Sequence, residues 1–342
     1  MPEFRHVLSS LQFTREDLSQ IFALAEAFQR RRRATGRLSV PILADCVVVV
    51  PFYQPSTRTR TSFEVAAQRL GASVSVTENA KEFSSTVKGE SLEDSIRVLS
   101  RYGDAIILRH DETGSAERAA KVSRVPLINA GDGKGEHPTQ AALDQYTIFQ
   151  LLKDRKGSDG PFVPGLQVAF MGDLKYGRTV RSLARLLANV PVTLRCISLP
   201  DLRLPSELKR ELESHPNVTI TEHDRPEEAL AGADVVYVTR TQTEHIEDEV
   251  EVERLRIASK PYRLSPQNLA ALPASAIILH PLPRDTVGDE LPTAVDADPR
   301  AKYFDQAENG LYVRMALLCW VFQEGLDPSR WPVRNLWARV NE

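Results

Sequence analysis

Val47-Val48-Val49-Val50-Pro51-Phe52-Tyr53-Gln54-Pro55-Ser56-Thr57-Arg58-Thr59-Arg60-Thr61 is the stretch whose reading decides the fold. The apolar run Cys46–Val50 predicts a buried strand. From Thr59 to Leu70, apolar residues recur at Phe63, Ala66, Ala67 and Leu70, a helical period that Gly71 closes. Between strand and helix lie three hydroxyls, a guanidinium and a run of backbone N–H groups. A helix N-terminus presents its positive dipole end and free N–H groups, and Arg58 adds a forked donor suited to phosphate oxygens. An isolated turn of this composition is an ordinary N-cap, with Ser56 or Thr57 bonding the first turn. Here it is one of several polar turns that follow apolar strands, so the expectation is a phosphate site without a glycine loop.

Working outward, strand-like and helix-like segments alternate. Ser73–Thr77, Ala105–Leu108 and Val125–Asn129 predict strands, with helices at Ser91–Arg101 and Ser115–Val122. Pro138–Lys153 predicts a longer helix, and Lys156–Pro161 reads as a loop. A second series has strands at Gln167–Met171, Val192–Ile197, Val218–Thr221, Asp234–Thr239 and Ala276–Leu279. Its helices are Thr179–Ala188, Ser206–Ser214 and Pro226–Leu230. Ala307–Phe322 is a further helix, expected to return to the first domain. Short apolar strands alternating with helices imply parallel sheets covered on both faces. The fold class is therefore α/β, with two doubly wound parallel-sheet domains.

A chain of 342 residues with 42% hydrophobic content has room for two cores. The formal net charge of −3 excludes a whole-chain field for nucleic acid or a membrane surface. The N-terminus lacks a long apolar run and no stretch approaches a membrane span, so a cytoplasmic protein is expected. Cys46, Cys196 and Cys319 are odd in number and far apart. They read as buried free thiols in a reducing compartment, with no metal-ligand spacing. Arg30–Arg33 reads as the solvated end of a first helix, where cations suit the dipole.

Ligands of open parallel sheets bind beyond the carboxyl ends of the strands, and those ends are chemically loaded. Arg109 and His110 follow Ala105–Leu108. Gly131 to Gln140, with His137-Pro138-Thr139-Gln140, follows Val125–Asn129. Gly172-Asp173-Leu174-Lys175-Tyr176-Gly177-Arg178-Thr179 follows Gln167–Met171. Arg240 and Gln242 follow Asp234–Thr239, and His280-Pro281-Leu282-Pro283-Arg284 follows Ala276–Leu279. Together they predict an interdomain cleft rich in Arg and His, with no carboxylate pair or Cys nucleophile, suited to strongly anionic ligands. Gly172–Thr179 nearly spells a P-loop. Its basic residue is Arg178, however, where a P-loop needs Lys, and the other loaded turns would then go unexplained.

These motifs, in this order from about Phe52 to about Leu318, resemble the aspartate/ornithine carbamoyltransferase family, and within it the aspartate carbamoyltransferases. The resemblance adds Lys88-Gly89-Glu90-Ser91 to the matching pieces. It implies carbamoyl phosphate and L-aspartate as substrates, N-carbamoyl-L-aspartate and phosphate as products, and an early step of pyrimidine synthesis. It implies a carbamoyl phosphate domain of residues 1–150 plus 306–342 and an aspartate domain of residues 151–305. Ser56, Thr57, Arg58, Thr59 and Arg109 would hold the phosphate. Arg58, Thr59, Arg109 and His137 would be catalytic, with Thr59, Arg109 and His137 aimed at the carbonyl oxygen. Gln140 and the Leu282 carbonyl would hold the carbamoyl amide. Arg178, Arg240, Gln242 and Pro283 would hold aspartate. Ser84 and Lys88, on the loop Asn79–Gly89, would come from a neighbouring subunit of a homotrimer. No cofactor, metal or covalent intermediate is implied. A regulatory subunit or fusion partner is compatible with the resemblance.

The chain departs from the family pattern at Asp111, Arg181, Thr243-Glu244-His245 and Asp285–Asp289, which puts affinity and regulation, not the reaction, in question. An ornithine enzyme would carry a Cys in the 280–283 turn, where this chain has Pro281, and a Ser-Met-Gly loop that is absent here. A catalytically silent homologue would not need the oxyanion donors together. The C-terminal segment Leu326–Trp337 lies beyond the similarity and is expected to fold back on its own domain.

Overall fold

A computed structural model describes residues 5–83, 89–156, 158, 160–243, 246, 248–285 and 287–331. Its strands are β1 (Val47–Phe52), β2 (Ser73–Glu78), β3 (Ala105–His110), β4 (Leu127–Asp132), β5 (Leu166–Gly172), β6 (Val192–Ile197), β7 (Val218–His223), β8 (Val235–Thr239) and β9 (Ile277–Leu279). The first six helices are α1 (Arg15–Thr35), α2 (Thr57–Arg69), α3 (Ala80–Phe83), α4 (Leu92–Leu99), α5 (Ser115–Val122) and α6 (Pro138–Lys156). The remainder are α7 (Arg178–Leu187), α8 (Ser206–Glu213), α9 (Pro226–Leu230), α10 (Glu249–Ala258), α11 (Pro266–Leu269) and α12 (Tyr303–Phe322).

Two compact units result. One holds the residues up to Leu8, Glu16–Gly135 and those from Gly310 on; the other holds Ser9–Arg15 and Glu136–Asn309. This division gives α6 to the second unit and shares α12 between the two.

The first unit is built on a parallel sheet of order β2-β1-β3-β4. Val49, Ile106, Leu108 and Leu127 pack against Leu92 and Ile96 of α4 and Ala116 and Ala119 of α5. Burial of each such aliphatic side chain is worth about 1.5–3 kcal/mol. The chain before α1 protects the β4 edge: the Val7 N–H donates to the Leu127 carbonyl (2.8 Å), and the Asn129 N–H returns to the Val7 carbonyl (2.7 Å). Residues from Gly310 on belong to this unit, as expected for a returning helix. The Arg314 guanidinium lies 5.2 Å from the Phe63 ring of α2. Trp331 stacks on Phe28 of α1 at 4.2 Å and donates Nε1–H to the Gly325 carbonyl. This much of the C-terminal segment folds back on its own unit; Trp337 lies outside the described residues.

The second unit holds a parallel sheet of order β7-β6-β5-β8-β9. Alternate residues of β5 serve two cores. Val168 and Phe170 join Ile148, Leu183 and Leu208 on one face. Ala169 and Met171 join Ala229, Leu264 and Leu272 on the other. A strand buried on both faces has no polar side, which is why the sequence there reads as an unbroken apolar run.

Cys196 and Cys319 are buried but Cys46 is only partly so, because it precedes β1 at the sheet rim. Helix α10 was not anticipated: Leu255 is its one residue classed as buried, so it carries no apolar stripe.

Candidate active site

In both sheets the strand order reverses at one place, and a crevice opens there at the carboxyl ends. In the first unit the reversal falls between β1 and β3, where Phe52 pairs with Arg109. In the second it falls between β5 and β8, where Gly172 pairs with Thr239. Helices α2 and α7 begin at these two places.

The helix α2 starts at Thr57, two residues earlier than its apolar pattern suggests. Ser56 is its N-cap but makes no side-chain capping bond, and the first turn has no acidic residue. Ser91 and Ser265 show ordinary capping: each hydroxyl accepts a backbone N–H of its own first turn, Asp94 and Asn268 respectively. The ordinary capping bond of an isolated turn is thus not made by Ser56, and the α2 start keeps the positive dipole end that suits an anion. Thr59 is buried. Arg60 turns away to Glu64 and Glu78. Arg109, 8% exposed, donates from Nη1 to the Ala130 carbonyl at 3.2 Å, and the Tyr53 N–H donates to the Arg109 carbonyl at 2.8 Å. Next in β3, the His110 Nδ1 accepts the Glu112 N–H at 3.0 Å, and its ring lies 4.8 Å from Tyr53. Burial lowers the His110 pKa, against an opposing pull from Asp111.

At the second reversal Gly172 has φ +112°, and a Cβ there would meet the Thr239 carbonyl at 2.1 Å, so only glycine fits. The turn between β5 and α7 is folded around Asp173, which is fully buried. Its Oδ1 accepts the Lys175 and Tyr176 N–H groups at 3.1 and 2.9 Å. Its Oδ2 accepts the Gln242 N–H at 3.0 Å. Two of the amides that a P-loop would offer to phosphate, those of Lys175 and Tyr176, are thus taken by the turn's own carboxylate. Asp173 also ties the turn carrying Arg178 to the turn carrying Arg240 and Gln242. Arg178 is the first residue of α7, whose N-cap Gly177 makes no side-chain bond and whose first turn has no acid. A cation at the positive end of a helix is unfavourable alone and favourable when it shares an anion.

His137 precedes α6. Its N–H donates to Ser182 Oγ at 3.1 Å, and its Nδ1 lies 3.4 Å from Thr139 Oγ1. Ser182 in turn donates to Glu136 (2.7 Å), which also takes the Ser10 hydroxyl (2.9 Å) and Arg185. Gln140 donates Nε2–H to Asp144 at 2.8 Å. At the end of β9, His280 shapes the turn: its Nδ1 accepts the Leu282 N–H at 2.8 Å, and its Nε2 lies 3.0 Å from Glu290 Oε1. Leu282 has φ +53°, and Leu282–Pro283 is a cis peptide. Arg284 pairs with Asp296 at 2.7 Å within the same unit.

The structure thus brings Ser56, Thr57, Arg58, Thr59 and Arg109 to one strand reversal of the first unit. It brings Arg178, Arg240 and Gln242 to that of the second, with His137, Gln140, Leu282 and Pro283 on neighbouring turns of that unit. Ser84 and Lys88 lie outside the described residues, as do Glu244, His245 and Thr286 of the departures. Asp111 is paired with Lys81 at 2.9 Å. Sequence reasoning missed the buried carboxylates Asp144, Asp173 and Glu290 and the half-buried Glu136, none of which stands in a charge pattern. A usable signal was the position of Asp173 and Glu136 beside residues that were singled out. Among the described residues no His, Cys, Asp and Glu side chains cluster as a metal site, and no helix is long and apolar enough to cross a membrane.

The family model described as "Aspartate/ornithine carbamoyltransferase, carbamoyl-P binding domain" matches residues 5–150. The one described as "Aspartate/ornithine carbamoyltransferase, Asp/Orn binding domain" matches residues 164–321. The chain is 43% identical over 316 residues to the chloroplastic aspartate carbamoyltransferase of Oryza sativa subsp. japonica, covering 91% of this chain and 83% of that protein. It is 45% identical over 316 residues to the aspartate carbamoyltransferase catalytic subunit of Methanopyrus kandleri, covering 92% and 96%. The crystal structure of Trypanosoma cruzi aspartate transcarbamoylase in complex with carbamoyl aspartate and phosphate superposes with a TM-score of 0.83 at 36% identity, covering 92% and 95%. The chain belongs to the aspartate/ornithine carbamoyltransferase family.

Proposed function

We propose that the chain transfers the carbamoyl group of carbamoyl phosphate to the amine of L-aspartate, yielding N-carbamoyl-L-aspartate and phosphate. It is an aspartate carbamoyltransferase, acting early in pyrimidine synthesis. The observation that carries this reading is the pair of uncapped, acid-free helix starts, each with an arginine in its first turn, at the two strand reversals.

The α2 start, with Ser56, Thr57, Arg58 and Thr59, takes the phosphate dianion together with Arg109. Thr59, Arg109 and His137 polarise the carbonyl oxygen and stabilise the charge that develops on it when the amine attacks. Gln140 and the Leu282 carbonyl hold the carbamoyl NH2. Arg178, Arg240, Gln242 and Pro283 hold aspartate, whose two carboxylates suit two arginines, whereas the cationic tail of ornithine would be repelled. In the reaction the new C–N bond forms, the C–O bond to phosphate breaks, and the departing phosphate takes the amine proton. Catalysis rests on orientation and fixed charge.

Ser84 and Lys88 complete each site from a neighbouring subunit of a homotrimer. Support comes from the resemblance and from the carbamoyl-P binding family model, which spans both positions. Light scattering would give the mass of three chains. Mixing His137→Ala and Lys88→Ala subunits would restore activity in roughly a quarter of the sites, as random assembly of shared sites requires; no restoration would refute sharing. A regulatory subunit or fusion partner would add mass beyond three chains in material from the native source. The cytoplasm is the proposed compartment, supported by the buried free thiols of Cys196 and Cys319.

The test of the reaction is ureido-product formation from carbamoyl phosphate with L-aspartate and, in parallel, with L-ornithine. Product with aspartate alone is expected. Product with ornithine alone would overturn the assignment of the second unit, and no product with either would leave a silent binding protein.

A further inference from the structure

Four side chains of the second unit, those of Gln140, Asp144, Tyr237 and Gln306, form one buried hydrogen-bonded cluster that reaches the His280 backbone. The Asp144 carboxyl is fully buried, and both its oxygens serve as acceptors. Its Oδ1 takes Gln140 Nε2–H at 2.8 Å and Gln306 Nε2–H at 2.6 Å. Its Oδ2 takes the Tyr237 hydroxyl at 2.7 Å. Gln306 continues the cluster, its Oε1 accepting the His280 backbone N–H at 2.9 Å. The His280 ring then accepts the Leu282 N–H, while its other nitrogen faces Glu290. Asp144, Gln306, Tyr237 and His280 are all at most 2% exposed.

The chemistry of this cluster fixes two orientations. An amide can flip, and its two ends are told apart only by their partners. Because Gln140 donates Nε2–H to Asp144 Oδ1, its NH2 end is committed to Asp144 and its carbonyl end is the one turned to a ligand. On the other branch, the commitment of the Leu282 N–H to His280 holds the left-handed Leu282 backbone, and with it the Leu282 carbonyl. Two hydrogen-bond acceptors are thereby set by one buried carboxyl group. Two acceptors match the two N–H bonds of a carbamoyl group and have nothing to offer a methyl group.

We propose that Asp144 is a positioning residue that makes the site select a carbamoyl over an acetyl group, with Gln306 carrying the same constraint to the 280–283 turn. The inference rests on the carbamoyl phosphate reading of the site. A site built around buried acceptors penalises a ligand that cannot donate far more than a merely apolar pocket does, because the acceptors are left unpaired.

The experiment measures dissociation constants of carbamoyl phosphate, acetyl phosphate and inorganic phosphate for the intact protein, with ureido product followed in parallel. Wild type is expected to bind carbamoyl phosphate at least about 100-fold more tightly than acetyl phosphate. Asp144→Ala is expected to cut that ratio at least about tenfold while leaving the inorganic phosphate constant within about twofold. Asp144→Asn, whose carbonyl still accepts from Gln140, should keep the ratio within about threefold of wild type. Gln306→Met leaves Gln140 and Asp144 joined, cuts the branch to the turn, and should lower the ratio by about threefold to tenfold. If Asp144→Ala does not fold, Gln306→Met carries the test. An unchanged ratio in a folded variant, or equal weakening of all three ligands, overturns the proposal, as does a wild type that does not discriminate. Product formation with an unmoved ratio would remove this inference alone, whereas failure of wild type to bind carbamoyl phosphate or make product would remove the reading beneath it.

Discussion

The α2 and α7 helix starts use the same backbone device with different side chains. Both lack a first-turn acid and a side-chain cap, and both follow a central strand at a reversal of strand order. At α2 the turn supplies hydroxyls from Ser56, Thr57 and Thr59, compact donors that suit a tetrahedral dianion. At α7 the turn is closed around Asp173, which takes its Lys175 and Tyr176 amides and the Gln242 amide of the Arg240 turn, and Arg178 follows at the helix start. An open turn binds with backbone and hydroxyls, whereas a closed one serves as a rigid mount for guanidinium groups. The proposed function accordingly assigns the phosphate to the first unit and the dicarboxylate to the second.

Substituting the two arginines breaks the comparison most strongly. Arg58→Ala should lower kcat by about 100- to 1,000-fold, because a donor to developing and leaving-group charge is lost. Arg178→Ala should instead raise the KM for aspartate about 10- to 100-fold, the worth of a hydrogen bond to a charged group. Steady-state kinetics with each substrate varied would check both; identical kinetic signatures would erase the distinction.

The closed turn offers the next handle. Asp173→Ala strands the Lys175, Tyr176 and Gln242 N–H groups, at a cost of about 1–3 kcal/mol for each buried donor left unmatched. The expected outcome is a lower thermal midpoint together with a raised aspartate KM. If the aspartate KM is unmoved in the folded variant, Asp173 is not the mount.

The smallest effect is a pH dependence of the first unit. In the first unit, His6 and His110 each accept a backbone N–H at Nδ1, and burial lowers both pKa values below the ordinary 6.5. The unfolded chain therefore takes up protons first. The stability these residues contribute is complete above about pH 6.5 and declines as pH falls from there towards the folded pKa values. The thermal midpoint should drop on acidification in that window, and less so in His110→Asn, whose Oδ1 can accept in place of Nδ1. A parallel drop in both proteins would remove His110 from the account.

Much of the fold was legible because parallel strands buried on both faces are short apolar runs, as at Val47–Val50 and Gln167–Met171. The strand ends were underestimated for a physical reason. Arg109 and His110 stay within β3 although they are polar, since the ligand-facing end of a sheet is where polar residues are tolerated. Most of the candidate site was legible for the same reason, because its side chains stand on strand-following turns. The supports were not. Asp144 meets Gln306 across 162 residues of chain, and no local pattern marks a carboxyl group whose partners are that remote. Arg284 is paired with Asp296 by a contact equally invisible in sequence.

Calorimetric titration of carbamoyl phosphate into wild type, Arg58→Ala and Arg178→Ala tests the division of charge most directly. The account predicts that Arg178→Ala binds within about threefold of wild type and that Arg58→Ala binds at least about tenfold more weakly. Equal weakening in the two variants, or weakening confined to Arg178→Ala, would contradict it.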